Sequence, residues 1–166
     1  MTARFLTWFD WLMGWEGTTY ENDPDDSGGE TKFGIDKHSH PDEDIRNLTR
    51  ERAKQIYWSE YWTPMRADEM PAGVGEVVAD IGVNNGKGRA SRWLQETLGV
   101  KVDGVIGPKT MQALKSANPN VLSRRLIDRR EIFYRSIARG SQVKWLRGWL
   151  NRNESLEKTF VDTEKD

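Results

Sequence analysis

The sequence predicts a mainly α-helical fold of the α+β kind, with a helical body and a small β-hairpin region near the N-terminus. Three observations support this prediction. Apolar residues recur at helical spacing over most of the chain. Turn-forming residues cluster in a single stretch, residues 17–36. The length of 166 residues suits one compact domain. Because the chain has no cysteine, packing must stabilise this domain, and eight tryptophans supply much of the apolar area.

The first element is predicted to be an amphipathic helix over residues 4–16. Phe5, Trp8, Leu12 and Glu16 recur at the spacing of one helical face, and the glycine that follows permits the helix to end. The turn-rich stretch 17–36 contains Asp-Pro and Gly-Gly turns. We therefore expect a small hairpin there, carrying Tyr20 and residues 31–35.

The remainder of the chain is predicted to be helical. The pattern becomes helical from Asp42, with Thr49 as a capping residue. Further helices are predicted around 74–81, 89–98, 108–116, 119–139 and 145–150, and the arginines of 124–139 are expected to form a solvated face. We expect a single globule made of a catalytic region, 1–85, a helical region, 86–152, and a polar, frayed tail, 153–166.

Composition excludes several classes of protein. No apolar run approaches the roughly 18 residues needed to span a bilayer, so stable membrane insertion is not expected. The apolar N-terminus is interrupted by Asp10 and lacks both a basic start and a small-residue cleavage site. It does not resemble a signal peptide, and we expect synthesis in the cytoplasm.

Charge is distributed unevenly along the chain. Residues 1–50 hold five Lys/Arg against eleven Asp/Glu, whereas residues 121–152 hold nine against two. This asymmetry predicts an acidic reaction zone and a basic face that could approach an anionic polymer. Nucleic acid and cell-wall glycan both fit that description.

The candidate chemistry centres on Glu16. On the apolar face of the first helix its carboxyl would be partly desolvated, which disfavours the charged form and suits a proton donor. Asp25 follows after eight intervening residues, and Thr31 after five more. A helix end followed by a hairpin can bring the three side chains to one cleft, where an ionised Asp and a hydroxyl could position water opposite the acid. Such an arrangement would invert the configuration at the reacting carbon, but the separation of the two carboxyls decides between inversion and retention.

Other assignments compete with these. Asp26 is an alternative to Asp25 in the acidic turn. The run from Asp23 imitates the first half of a calcium loop, but Gly34 stands where its bidentate Glu should be. His38 and His40 are the only histidines. A catalytic zinc site normally takes three protein ligands, and a His-Ser-His pair in a polar loop is a poor basis for one. We therefore predict no metal and no cofactor.

The stretch WEGTTYENDPDDSGGETKFGI resembles glycoside hydrolase family 108, and the Glu-x8-Asp-x5-Thr spacing resembles the catalytic triad of phage-type lysozymes. The family's EGGY motif is here Glu16-Gly17-Thr18-Thr19-Tyr20, with one extra residue and no second glycine, a departure that bears on the placement of Asp25. Downstream, DIGVNNG, DGVIGPKT and WLRGWLNR are similar to the family's predicted peptidoglycan-binding region. The resemblance covers about residues 5–152.

This resemblance implies a lysozyme-like fold and an endolysin-type muramidase that cleaves between N-acetylmuramic acid and N-acetylglucosamine, with Glu16 essential. We assign Tyr20, Trp62 and Asn84 to substrate binding. The expected partner is bacterial peptidoglycan, reached by a monomer at the cell wall after its release, in either phage lysis or bacterial secretion. The rival functions are a lytic transglycosylase, a non-catalytic peptidoglycan-binding protein and a nucleic-acid binder, for which no binding motif is present.

Overall fold

A computed structural model describes residues 1–25 and 27–161. It separates into two compact units, Met1–Glu60 and Tyr61–Asp166. Along the chain the helices and strands are α1 (Ala3–Met13), β1 (Glu21–Asn22), β2 (Glu30–Lys32), β3 (Ile35–Asp36), α2 (Arg50–Tyr57), α3 (Val74–Asn85), α4 (Lys87–Leu98), α5 (Pro108–Ser116), α6 (Pro119–Ile137) and α7 (Val143–Phe160). A π-helical turn, Trp58–Trp62, follows α2. The predicted mainly helical fold with a small β element near the N-terminus is confirmed.

Helix α1 supplies the core of the first unit. The side chain of Thr2 accepts a hydrogen bond from the backbone N–H of Phe5 and caps the helix. Phe5, Trp8 and Leu12 are fully buried, as the amphipathic pattern predicts. The α-helix ends at Met13, three residues earlier than predicted, because the chain tightens into a final turn beyond that residue.

The β region is a three-stranded antiparallel sheet in the order β1-β2-β3. Glu21 pairs with Thr31 between β1 and β2, and Lys32 pairs with Ile35 between β2 and β3. The two-residue loop between β2 and β3 is Phe33-Gly34, and both residues have positive φ, 54° and 73°. Positive φ at both central residues is typical of the type I′ turn that fits the twist of a two-residue hairpin.

The helical pattern predicted from Asp42 begins later in the structure. Residues 41–48 form turns, and the side chain of Asp44 accepts a hydrogen bond from the backbone N–H of Asn47. Such local bonds compete with the helical backbone ladder. Helix α2 begins at Arg50, where Thr49 caps it by accepting from the backbone N–H of Arg52 at 3.1 Å, as predicted.

The second unit is built from helices α3 to α7, with α3 packing against α4, α6 and α7. Its centre holds a charged cluster. Asp80 on α3 accepts hydrogen bonds from Arg130 on α6 at 2.7 Å and from Arg152 on α7 at 2.6 Å. Asp80 and Arg130 are completely buried. The prediction that the arginines of 124–139 form a solvated face is therefore wrong for Arg130.

Helix α7 is longer than the sequence indicated. It continues to Phe160, and Asn153, Leu156 and Val161 are buried. The predicted frayed tail is therefore wrong for residues 153–160. Most residues of this stretch are polar and lie on the outer face of the helix, so the composition does not indicate the few buried positions that anchor it. The predicted boundary between 85 and 86 falls inside the second unit, between the packed helices α3 and α4.

Within the described residues, no helix has both the length and the apolar character required to cross a membrane.

Candidate active site

Glu16 lies in a turn that directly follows the C-terminus of α1. Its backbone N–H donates to the carbonyl oxygen of Leu12 at 3.0 Å, and the N–H of Trp15 donates to the same oxygen at 2.9 Å. These bonds extend helical hydrogen bonding past Met13. The Glu16 side chain is half-buried, whereas that of Leu12 is fully buried. The backbone of Glu16 is therefore anchored to the hydrophobic core while its carboxyl retains access to solvent.

The β2–β3 turn comes directly against this carboxyl. A β-carbon added to Gly34 would lie 2.7 Å from Oε2 of Glu16 and 2.5 Å from the hydroxyl oxygen of Tyr57. Carbon atoms do not approach oxygen so closely, so a side chain at this position would have to displace the carboxyl and the phenol, and the positive φ of Gly34 would strain it as well. The turn, the carboxyl and the phenol thus form one packed arrangement.

Tyr57 also fixes the turn itself. Its hydroxyl donates a hydrogen bond to the carbonyl oxygen of Phe33 at 2.9 Å, in a buried position. Phe33 has a φ of 54°, a left-handed conformation that costs a non-glycine residue roughly 1 kcal/mol or more. The hydrogen bond from Tyr57 and the burial of the Phe33 ring offset that cost.

A cleft of about 550 Å³ opens beside Glu16 within the first unit. Several of the residues around it carry polar side chains. The lining consists of Glu16, Ser27, Gly28, Thr31, Gly34, Asp36, His38 and Ser39. Of the three residues predicted to carry the chemistry, the cleft thus brings together Glu16 and Thr31.

Asp25 lies elsewhere in this conformation. Its side chain is exposed and does not line the cleft. Its backbone N–H donates to Oδ1 of Asp23 at 2.9 Å, a local turn in which an Asp side chain satisfies the backbone two residues on. The alternative, Asp26, lies outside the described residues.

Among the described residues, the cleft lining also includes the carboxylate of Asp36, which the sequence pattern does not single out. Asp36 is the cross-strand partner of Thr31. The signal that could have identified it was the two-residue turn Phe33-Gly34, since a hairpin closed there sets Thr31 opposite Asp36. Gly34 was likewise missed as a residue of the site.

Tyr20, predicted to bind substrate, lies beside this region but does not line the cleft. Its hydroxyl donates to Oε1 of Glu30 at 2.6 Å, and the guanidinium of Arg46 stacks on its ring at 4.6 Å from the centroid. The hydrogen bond to Glu30 is the largest cause that raises the pKa of Tyr20, and desolvation raises it further. The positive charge of Arg46 lowers it in part. One face of the ring is therefore already covered.

The other two predicted substrate contacts belong to the second unit. Trp62 is 1% exposed, and stacking on a sugar requires an accessible indole face. Asn84 is exposed, and its side-chain N–H donates to the hydroxyl of Tyr134 at 2.5 Å. The ring of Tyr134 in turn stacks on Trp149 at 4.9 Å between centroids. The amide nitrogen of Asn84 is thus bonded to a stacked aromatic pair of the second unit.

Among the residues that the structure describes, no group of three His, Asp or Glu side chains could hold a metal ion. His38 lines the cleft. His40 contacts Oε2 of Glu60 through Nε2 at 2.9 Å, and its Nδ1 lies 3.3 Å from the carbonyl oxygen of Asp36. The imidazole of His38 thus belongs to the lining of the cleft, whereas that of His40 contacts Glu60 and Asp36.

Comparisons with known proteins identify two families along the chain and one similar solved structure. The family described as Glycosyl hydrolase 108 matches residues 9–86, and the family described as Predicted Peptidoglycan domain matches residues 89–154. Among solved structures, that of Brucella abortus SagA is similar, with 28% sequence identity and a TM-score of 0.80 over 93% of this chain and 91% of that chain. A comparison with curated proteins gave no match.

The two family matches adjoin along the chain, and the first of them contains the whole lining of the cleft described above. The chain therefore contains a glycosyl hydrolase 108 domain, residues 9–86, and this domain indicates a glycoside hydrolase that acts on peptidoglycan.

Proposed function

We propose that the protein is an N-acetylmuramidase that hydrolyses the β-1,4 bond between N-acetylmuramic acid and N-acetylglucosamine, with Glu16 as its general acid. The observation that carries this proposal is the cleft of about 550 Å³ that Glu16 and Thr31 line together. A pocket of this volume lies in the range of known small-ligand sites, and glycosidic cleavage needs a carboxylic acid beside the leaving oxygen.

The proposed reaction divides the work between two faces of the bound sugar. Glu16 gives its proton to the glycosidic oxygen as the bond to the muramic acid breaks. Water enters from the opposite face, oriented by the hydroxyl of Thr31 and by a carboxylate, and adds to the same carbon. The sequence pattern assigns that carboxylate to Asp25, which would have to turn from its exposed position toward the cleft.

Anchoring of Glu16 supports its role. A general acid contributes typically 10²–10⁴-fold to the rate when it is held within hydrogen-bond reach of the leaving group. The backbone bond from Glu16 to Leu12 and the close approach of Gly34 restrict where its carboxyl can lie. The substrate therefore meets a proton donor whose position is set before binding.

The second unit would bind the enzyme to the cell wall. Residues 89–154 match the predicted peptidoglycan domain, and the basic stretch 121–152 would favour approach to a wall that carries anionic groups. We propose an endolysin role, in which the enzyme is made in the bacterial cytoplasm, acts as a monomer and reaches the wall after release.

The test compares the wild type with Glu16→Gln on purified peptidoglycan. We expect the variant to lose at least about 100-fold in the release of reducing ends, while its thermal unfolding remains close to that of the wild type. Mass spectrometry of the wild-type products should show muramic acid with a free reducing end. Retention of activity by Glu16→Gln would contradict the assignment of the acid, and 1,6-anhydro products would identify a lytic transglycosylase instead.

A further inference from the structure

The register of the β2–β3 hairpin places a hydroxyl and a carboxylate side by side. Thr31 and Asp36 are cross-strand partners, and the next pair outward is joined by a hydrogen bond from the N–H of Lys37 to the carbonyl oxygen of Glu30 at 2.9 Å. Because hydrogen-bonded pairs alternate with non-hydrogen-bonded pairs along an antiparallel ladder, Thr31 and Asp36 form a non-hydrogen-bonded pair. Side chains of such a pair leave the same face of the sheet, with their β-carbons about 4.5–5.5 Å apart.

This pair shares the cleft with Glu16, since all three residues line it. Asp36 is half-buried, and its Oδ1 accepts a hydrogen bond from the backbone N–H of Ser39 at 2.8 Å. A carboxylate has about four acceptor sites, so this one bond orients the group and leaves capacity for a water molecule. Thr31 donates its hydroxyl hydrogen to the carbonyl oxygen of Gly29 at 3.3 Å, so its oxygen can accept a hydrogen bond from water.

We propose that Asp36, acting with Thr31, is the carboxylate that holds and deprotonates the attacking water. The inference rests on the proposed muramidase function and differs from the sequence pattern, which assigns this role to Asp25. The side chain of Asp25 is exposed and lies outside the lining of the cleft, and its backbone N–H is held in a local turn by the carboxylate of Asp23. Asp36 needs no rearrangement to face a substrate beside Glu16.

The proposed step balances as follows. The glycosidic bond breaks at the anomeric carbon of the muramic acid, and its oxygen takes the proton of Glu16. The oxygen of the water forms a new bond to the same carbon, and the proton that this water loses passes to Asp36. After the products leave, solvent exchange returns the proton from Asp36 to Glu16, so no further reactant is consumed.

Asp36→Asn separates a catalytic role from a structural one. An asparagine has nearly the same shape and its side-chain oxygen can still accept the N–H of Ser39, so the turn is preserved while the negative charge is lost. We expect kcat to fall by at least about 100-fold, with KM changed less than about threefold. Asp42→Asn is the matched control, because it makes the same change at an exposed position outside the lining of the cleft, and it should keep activity within about threefold. Asp25→Asn tests the competing assignment, which the sequence pattern makes.

The outcomes are distinguishable from a failure of the proposed function. If the wild type releases reducing ends and Glu16→Gln does not, the muramidase assignment stands. An Asp36→Asn variant with near-wild-type kcat under those conditions would overturn the role of Asp36 alone, as would loss of activity confined to Asp25→Asn. A loss confined to Asp36→Asn, with unchanged thermal unfolding and unchanged binding to insoluble wall, would support it.

Discussion

The carboxyl of Glu16 rests against the backbone of Gly34, at a distance that leaves no space for a side chain. A β-carbon on residue 34 would lie 2.7 Å from Oε2 of Glu16. Glu16, the proposed proton donor, and the hairpin that carries Thr31 thus approach each other at a position where any added side chain would be strained and would have to displace its neighbours. The geometry of the acid therefore depends on the turn as much as on the helix before it.

Gly34→Ala should reduce activity far more than it reduces stability. The added methyl group must displace the Glu16 carboxyl or the turn, and a displacement of about 1 Å at a catalytic group can cost on the order of 100-fold in rate. We expect a loss of that size in the release of reducing ends. Gly99→Ala is the matched control, because Gly99 has a similar φ of 70° with no atom within 4 Å of the added carbon. Equal activity in the two variants would contradict this interpretation.

Tyr57→Phe tests the support beneath the turn. The variant loses the hydrogen bond to the buried carbonyl oxygen of Phe33, and an unsatisfied buried acceptor costs about 1–3 kcal/mol. We expect a decrease of that size in the free energy of unfolding, measured with urea. Activity should fall as well, because the strained turn is no longer fixed beside Glu16. An unchanged unfolding midpoint would show that the turn holds its conformation without Tyr57.

Much of the fold could be predicted because its signals are local. Burial of Phe5, Trp8 and Leu12 follows from their helical spacing, and capping by Thr49 follows from its position before a helical run. Helix bounds were less accurate because they depend on competing local bonds, such as that between Asp44 and Asn47. The frayed tail was wrong because a few buried positions anchor an otherwise polar helix.

The site was predictable only in part. The spacing singled out Glu16 and Thr31, which both line the cleft, but it did not indicate that Asp36 lines the cleft as well, since that depends on strand register. Register places Asp36 opposite Thr31, and a one-residue slip would have sent its side chain to the other face. The ion pair between Asp80 and Arg152 could not be predicted either, because its partners lie far apart in sequence.

Asp80→Asn should strongly destabilise the second unit. Removing one partner from a buried ion cluster leaves uncompensated charge on Arg130 and Arg152 and typically costs about 3–5 kcal/mol. We expect a lower urea midpoint and a lower Tm. Glu154→Gln provides the control, since its ion pair with Lys158 is solvent-exposed on both sides, and surface pairs contribute little. Comparable losses in the two variants would contradict the central role of Asp80.

The same cluster predicts a stability change in acid. Burial by itself raises the pKa of Asp80, but the charges of Arg152 and Arg130 and their hydrogen bonds outweigh it and hold the pKa below its ordinary value. A carboxyl whose pKa is lowered by folding stabilises the protein above its unfolded pKa, about 3.9. That contribution is lost as the pH falls from there toward the folded pKa. Between pH 7 and pH 3, the free energy of unfolding measured with urea should decrease less for Asp80→Asn than for the wild type. The same decrease in both proteins would contradict this prediction.

Gln95→Ala should loosen the loop that joins α4 and α5. The buried side chain of Gln95 donates to Oδ1 of Asp103 at 2.8 Å and to the carbonyl oxygen of Val105 at 2.9 Å, and it accepts from the backbone N–H of Gly104 at 2.8 Å. One side chain thus satisfies both donors and acceptors of the loop. Its removal should cost about 1–3 kcal/mol, because these part-buried groups lose their partners.

Hydrogen exchange provides the measurement for that variant. The amides of Asp103 and Gly104 both donate to Oε1 of Gln95, so their exchange should accelerate in Gln95→Ala while the amides of α6 stay protected. Gln142→Ala, at an exposed position, should leave both amides unchanged. Because the loop lies within the region that matches the predicted peptidoglycan domain, binding to insoluble wall can be compared in the same samples. Unaltered exchange at Asp103 and Gly104 would show that the loop is held by other contacts.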